Sequence, residues 1–237
     1  MRPTPPRKKG NSRVILPLDA RDDGMAADTV FSSPNDVDIS LAGEIFRKLI
    51  HLGAIAIPIG YYFLGVGIVM PLLGLALSTS LVLDYIRLFG RLNSKRFIYR
   101  YLGIMIRPSE KKNLVGASYI LSGSILTILL FDKMIAIAAI SFIVVGDTAG
   151  AIIGRLWGRV RFRSKSVEGS ISFLVASCLV AVLIPGIPFW VKVTGAITAT
   201  VVEAITLHID DNFIVPVTAA ALMQVLVNQI VILKYFT

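Results

Sequence analysis

The chain has 237 residues, 55% of them hydrophobic, with a mean hydropathy of +0.75. Soluble domains are about 45–50% apolar; here the apolar residues fall in uncharged blocks of near-bilayer length, which excludes a soluble globular core and predicts an all-α, polytopic membrane bundle. The net charge of +9, from 24 Lys and Arg against 15 Asp and Glu, points with that hydropathy to an anionic leaflet and anionic substrates rather than to nucleic acid. A single cysteine, Cys178, excludes a disulfide framework or a zinc site within the chain.

Residues 1–40 read as a disordered cytoplasmic tail, because they have no apolar core and mix Pro with both signs of charge. They carry no secretory signal, and their six acidic residues argue against a transit peptide. Met25 offers an alternative start. Residues 41–237 form the expected membrane domain. Asp38 or Ser40 caps a helix that runs into segment one, residues 49–64, which Pro58 is expected to kink. Segment two is residues 66–83. The basic stretch 84–113, with aromatic and aliphatic residues among its charges, reads as an amphipathic element on the membrane surface. Segment three, residues 114–131, is joined to segment four, residues 134–153, by a tight turn at Asp132-Lys133. A basic loop, 154–169, leads to segment five, residues 170–184, and Pro185-Gly186-Ile187-Pro188 is a turn by its chemistry. Segment six is residues 189–205, and a polar loop, 206–212, opens segment seven, residues 213–234.

Seven spans and the distribution of basic residues set the expected orientation. Lys133, Lys192 and Lys234 fall on one side; the other 21 of the 24 basic residues lie in the tail, at the start of segment one, and in the 84–113 and 154–169 loops. That places the N-terminus in the cytoplasm and the C-terminus outside. It also puts every clustered polar motif, including the 203–212 stretch, on the cytoplasmic face.

Four constellations on that face carry chemistry. Glu44, Arg47, Lys48 and His51 stand at i, i+3, i+4 and i+7 on one helical face. Arg47 and Lys48 can meet phosphate and His51 can hydrogen-bond a ligand or a carboxylate; the structural alternative is a basic anchor with a Glu44–Lys48 pair. Asp84 and Arg87 stand at i, i+3, and a structural ion pair is at least as good a reading as a catalytic one. Gly146-Asp147-Thr148-Ala149-Gly150 ends an uncharged run, so Asp147 is a carboxylate at or just inside a membrane boundary and a functional candidate by default. Gly146, Gly150, Gly154 and Gly158 line one helical face. They admit phosphate oxygens to backbone N–H groups, pack a neighbouring helix, or do both. Arg155 and Lys165, with Ser166, Glu168 and Gly169 beyond, add cationic stabilisation for a phosphoryl group. Glu203, Asp210 and Asp211, with the amide of Asn212, supply further groups for Mg²⁺, which takes one or two carboxylates plus substrate phosphates, or for a general base, and His208 can be a ligand. Asp210 or Asn212 is alternatively the N-cap of segment seven.

Together Glu44-x-x-Arg47-Lys48-x-x-His51, Asp84-x-x-Arg87-Leu88, Glu110-Lys111, Gly146-Asp147-Thr148-Ala149-Gly150 with Gly154, Lys165-Ser166-x-Glu168-Gly169, and Glu203 with Asp210-Asp211-Asn212-x-x-x-Pro216 resemble the CTP-dependent lipid-alcohol kinases, the family of dolichol kinase, phytol kinase and CTP-dependent diacylglycerol kinase. The resemblance covers about residues 41–237. It implies transfer of a phosphoryl group from CTP, or another nucleoside triphosphate, to a lipid alcohol, and a distant relation to phosphatidate cytidylyltransferase. The long acidic and glycine-histidine signature of that second enzyme is missing, and Gly150 stands where an alanine often occurs.

On this basis Asp147 and Asp211 are expected to hold Mg²⁺ on the triphosphate, with Glu168 or Asp210 assisting. Lys165, Arg155 and Lys48 neutralise phosphate charge, and Glu203 or Asp211 takes the alcohol proton. Phosphate contacts extend to Arg47, His51, Gly146, Gly150, Gly154, Ser166, Gly169 and Asn212. The expected location is a multi-pass cell membrane, or an endoplasmic reticulum or plastid membrane in a eukaryote. The rivals are CTP:phosphatidate cytidylyl transfer, an ion-coupled transporter using Asp147 and Glu203, and a membrane scaffold without activity.

Overall fold

The computed structural model describes residues 48–49, 51–90, 113–162, 165–205 and 209–236. The expected tail, Glu44, Arg47, most of the 84–113 surface element with Glu110 and Lys111, and His208 lie outside the described residues.

Seven α-helices are found among the described residues, in the order of the seven apolar segments: α1 (Ala56–Leu64), α2 (Val66–Phe89), α3 (Gly116–Leu130), α4 (Lys133–Trp157), α5 (Val167–Leu183), α6 (Phe189–Ala204) and α7 (Asp211–Phe236). Three of them, α2, α4 and α7, are long and apolar enough to cross a membrane. The basic loop after α4 holds one small element that hydropathy does not reveal. It is an antiparallel ribbon of β1 (Arg161–Phe162) and β2 (Lys165–Ser166), with Arg161 opposite Ser166 and Phe162 opposite Lys165.

Short turns make successive helices antiparallel. Gly65, with φ 74°, is the single residue between α1 and α2, a left-handed position that favours glycine. Gly186, with φ 79°, sits in the expected Pro-Gly-Ile-Pro turn. Asp132 holds the α3–α4 turn: its backbone N–H donates to Gln224 Oε1 at 3.0 Å and its carboxylate accepts from Gln224 Nε2 at 2.8 Å. Lys133 Nζ donates to the Tyr62 carbonyl at 2.9 Å, so the turns gather at one end of the bundle. Pro58 does not kink a continuous helix. A 3-10 turn, Gly53–Ile55, precedes α1, and Pro58 falls in its first turn, where a missing N–H breaks no helical bond.

The hub is α4. Residues from Ile135 to Val144 are nearly all buried, as expected of a helix that is apolar all round. It packs most extensively on α5, and also on α7, α1, α6 and α3. The glycine face faces α5. A Cβ at Gly146 would lie 2.9 Å from the Phe173 ring, one at Gly150 3.0 Å from the Gly169 carbonyl, and one at Gly154 2.7 Å from Ser166 Oγ. These glycines are therefore filled by protein, and the close-packing alternative is the one that the structure shows. A second close approach was not foreseen. The backbone of Asn212 and Phe213 lies so near Gly123 of α3 that a Cβ there would be 2.8 Å from the Asn212 carbonyl. This seats the start of α7 two turns below the start of α3.

Two helices run past their apolar segments. α2 continues through Asp84 and Arg87 to Phe89, and α4 through Gly154 and Arg155 to Trp157. Asp147 is thus ten residues from the end of its helix, about 15 Å at 1.5 Å per residue.

Candidate active site

Residues from five elements meet at the end of the bundle opposite the turns. Asp147 comes from the middle of α4, Lys48 and His51 from the helical turn before α1, Lys165 from β2, Glu203 from the last turn of α6 and Asp211 from the first turn of α7. The Lys48 ammonium donates to Asp147 Oδ2 in a very short contact, and His51 Nε2 lies 3.6 Å from the same oxygen. Lys48 is 2% exposed and Asp147 17%, so a buried ammonium meets a half-buried carboxylate. On the other side, Lys165 Nζ donates closely to Glu203 Oε1 and at 2.9 Å to Asp211 Oδ2. The two groups sense each other: the Lys165 charge acts on Asp147, and the Asp147 charge acts on Glu203 and Asp211. Burial works against the Lys165 ammonium, but the Glu203 and Asp211 carboxylates outweigh it and raise its pKa above the ordinary lysine value.

Local structure explains how β2 aims Lys165. Ser166 is the N-cap of α5, with its Oγ accepting the Gly169 N–H at 3.1 Å, and it is wedged against Gly154 and Gly158. Its neighbour is thereby fixed with its side chain toward α6 and α7. The hairpin is closed by Glu168, which accepts the N–H groups of Arg159 at 2.9 Å and Val160 at 3.2 Å. Asp210 likewise caps α7, accepting the Asn212 N–H at 3.0 Å.

Several expected site residues are therefore placed elsewhere. Glu168 Oε1 accepts backbone N–H groups, while its Oε2 is buried without a hydrogen bond among the described residues, and Asp210 Oδ1 accepts the Asn212 N–H. Ser166 and Gly169, with Gly146, Gly150 and Gly154, form the α4–α5 contact. Arg155 is exposed on the last turn of α4. Asn212 follows Asp211, and its Oδ1 is buried without a hydrogen bond among the described residues.

The Asp84–Arg87 pair is resolved as structural. Asp84 Oδ1 accepts from Arg87 Nη2 at 2.8 Å and Nε at 3.2 Å; Oδ2 accepts from the Ser118 hydroxyl at 2.7 Å and the Val115 N–H at 3.1 Å. Arg87 also donates to the Asn113 carbonyl. The pair ties the end of α2 to the start of α3. Its partners Ser118 and Val115 carry no signal in the sequence that would have named them, and nor does Gly123.

Whether the cleft suits a divalent cation can be tested on its acids. Three carboxylates face two ammonium groups, and only one oxygen of each is used: Oδ2 of Asp147, Oε1 of Glu203 and Oδ2 of Asp211. The second oxygen of each has no hydrogen bond among the described residues. No group of three His, Cys, Asp or Glu side chains among the described residues could hold a metal ion by itself. A cation held there would need ligands from substrate phosphates, as Mg²⁺ sites commonly use.

Comparison with known proteins gives an independent line. The chain is 29% identical over 182 residues to an uncharacterised protein of Rickettsia prowazekii, covering 73% of this chain and 89% of that one. It is 25% identical over 209 residues to CTP-dependent diacylglycerol kinase 1 of Schizosaccharomyces pombe, covering 77% and 93% of the two chains. It is 27% identical over 216 residues to the protein of the same name from Saccharomyces cerevisiae, covering 78% and 74%. No family model and no solved structure matches. The distant relatives that bear the name support, for this chain, the family of CTP-dependent lipid kinases.

Proposed function

We propose that this protein is a multi-pass membrane kinase that transfers the terminal phosphoryl group of CTP, or another nucleoside triphosphate, to the hydroxyl of a lipid alcohol. The observation that carries this reading is a pair of charged groups, Lys48–Asp147 and Lys165–Glu203–Asp211, within an apolar helical bundle, with the Lys165 charge acting on Asp147. A charged cleft beside lipid-facing helices suits a reaction between a water-soluble nucleotide and a lipid. The relatives' name makes diacylglycerol the first acceptor to test; a polyprenol and phytol are the others.

In the reaction the lipid oxygen forms a bond to the terminal phosphorus, the bond from that phosphorus to the bridging oxygen breaks, and the nucleoside diphosphate leaves. The protein's task is positioning and charge compensation. Asp147 and Asp211 are the residues that would hold Mg²⁺, which when bound supplies charge neutralisation on the phosphates. Lys48 and Lys165 are each drawn from carboxylates to phosphate oxygens as the nucleotide enters, so the cleft exchanges internal ion pairs for substrate ones. Glu203 or Asp211, relieved of Lys165, accepts the hydroxyl proton. In this reading all seven helices cross the membrane, the N-terminus is cytoplasmic, and the cleft opens to the cytoplasm.

The test is purified protein with terminally labelled CTP or ATP, Mg²⁺ and the panel of lipid alcohols. Label in a monophosphorylated lipid, with release of the nucleoside diphosphate, is expected. A nucleotidyl lipid with release of pyrophosphate, or no lipid product with any acceptor, would refute it.

A further inference from the structure

The hairpin that delivers Lys165 also carries exposed side chains that do not hydrogen-bond to Glu203 or Asp211 among the described residues. From the last turn of α4 into β1 the sequence runs Arg155-Leu156-Trp157-Gly158-Arg159-Val160-Arg161-Phe162, and no acid occurs between Asp147 and Glu168. Leu156, Trp157, Val160 and Phe162 are 48%, 63%, 61% and 38% exposed, and Arg155, Arg159 and Arg161 are exposed among them. This is a fixed surface. Glu168 holds the Arg159 and Val160 N–H groups, the Val167 N–H donates to the Val160 carbonyl at 3.0 Å, and Phe162 pairs across the ribbon with Lys165.

Exposed apolar side chains that alternate with arginines are poorly matched to water and poorly matched to hydrocarbon. They suit the headgroup layer, where aromatic rings bury their bodies and guanidinium groups meet phosphates. α4, which is long and apolar enough to cross a membrane, carries the hairpin at its end and delivers it to that layer. We infer that the 155–162 hairpin is a binding surface for anionic phospholipid headgroups, distinct from the nucleotide cleft. Because Phe162 is paired with Lys165, a lipid seated there also steadies the residue that bridges Glu203 and Asp211. That last step rests on the proposed kinase reading; the binding itself does not.

The probe is Trp157, which becomes the sole tryptophan when Trp190 is replaced by Phe, since the chain has two. In nanodiscs of phosphatidylcholine, a small fraction of brominated phosphatidylglycerol is expected to quench Trp157 several-fold more than the same fraction of brominated phosphatidylcholine. A basic residue near an anionic surface is worth roughly five-fold in local lipid concentration. Arg159→Gln with Arg161→Gln should bring the two quenchers to parity, and Arg159→Lys with Arg161→Lys should keep the preference, which separates charge from misfolding. Excess inorganic phosphate should leave the preference intact. Equal quenching before any arginine is changed, a preference that survives loss of both, or competition by phosphate would each overturn the assignment. The readout needs no turnover, so it stands or falls separately from the kinase reading.

Discussion

Two acids with buried basic partners, Asp84 and Asp147, differ in how completely they are satisfied. Both oxygens of Asp84 are used, by Arg87, Ser118 and the Val115 N–H. Asp147 offers one oxygen to Lys48 and His51, and the other is free of hydrogen bonds among the described residues. A closed hydrogen-bond set builds structure; an open one can take a ligand. Asp84→Asn should therefore lower stability by about 3–5 kcal/mol, the range for breaking a buried ion pair, seen as a fall in the unfolding midpoint in detergent. Asp147→Asn should leave a folded, monodisperse protein and cut lipid phosphorylation by roughly 10²–10³-fold, the effect of removing one well-placed electrostatic group. Unchanged turnover in Asp147→Asn would end its proposed role. The existence of both acids was legible in the sequence, and so was the structural alternative for Asp84. The partners were not. Lys165 meets residues 38 and 46 positions away, and no local spacing encodes which of several lysines will face which acid.

Among the elements, hydropathy located all seven helices but misjudged their ends. Counting apolar residues stops at Leu83 and Ile153, whereas helical hydrogen bonding continues to Phe89 and Trp157. The glycine repeat of α4 was legible as a face, yet its two uses could not be separated without knowing what lies opposite. What lies opposite is α5, in contact along Gly146, Gly150 and Gly154. Gly150→Ala places a methyl group 3.0 Å from the Gly169 carbonyl, a backbone atom that moves only with its helix, so overpacking should cost about 1–3 kcal/mol. Gly74→Ala is the control. Nothing lies within 4 Å of a Cβ there, and relief of glycine's backbone entropy inside α2 should make that change neutral or stabilising by up to about 1 kcal/mol. Thermal unfolding of the two variants in one detergent compares them directly; equal shifts would show that α4 and α5 have slack between them.

At the scale of the molecule, helix length and site depth bear on each other. A helix needs about 20 residues to cross a bilayer core, and α5 has 17, α6 16 and α3 15. Three of the short or late-starting elements, α5, α6 and α7, have an end beside the Lys165 cluster. A cleft lined by two lysines and three acids draws water inward, so helices that end in it need not reach the full thickness of hydrocarbon; irregular backbone is tolerated at such depth where it lines a polar cavity. On this view α5 crosses despite its length, and its two ends must face opposite compartments. In a Cys178→Ser background, Arg161→Cys before α5 and Pro185→Cys after it should react with a membrane-impermeant maleimide from opposite sides of sealed vesicles. Both are exposed positions, so accessibility is set by sidedness rather than by burial. Labelling of both from one side would make α5 a re-entrant hairpin arm, reverse the direction of α6 relative to the membrane, and remove the short-helix argument for a water-filled cleft.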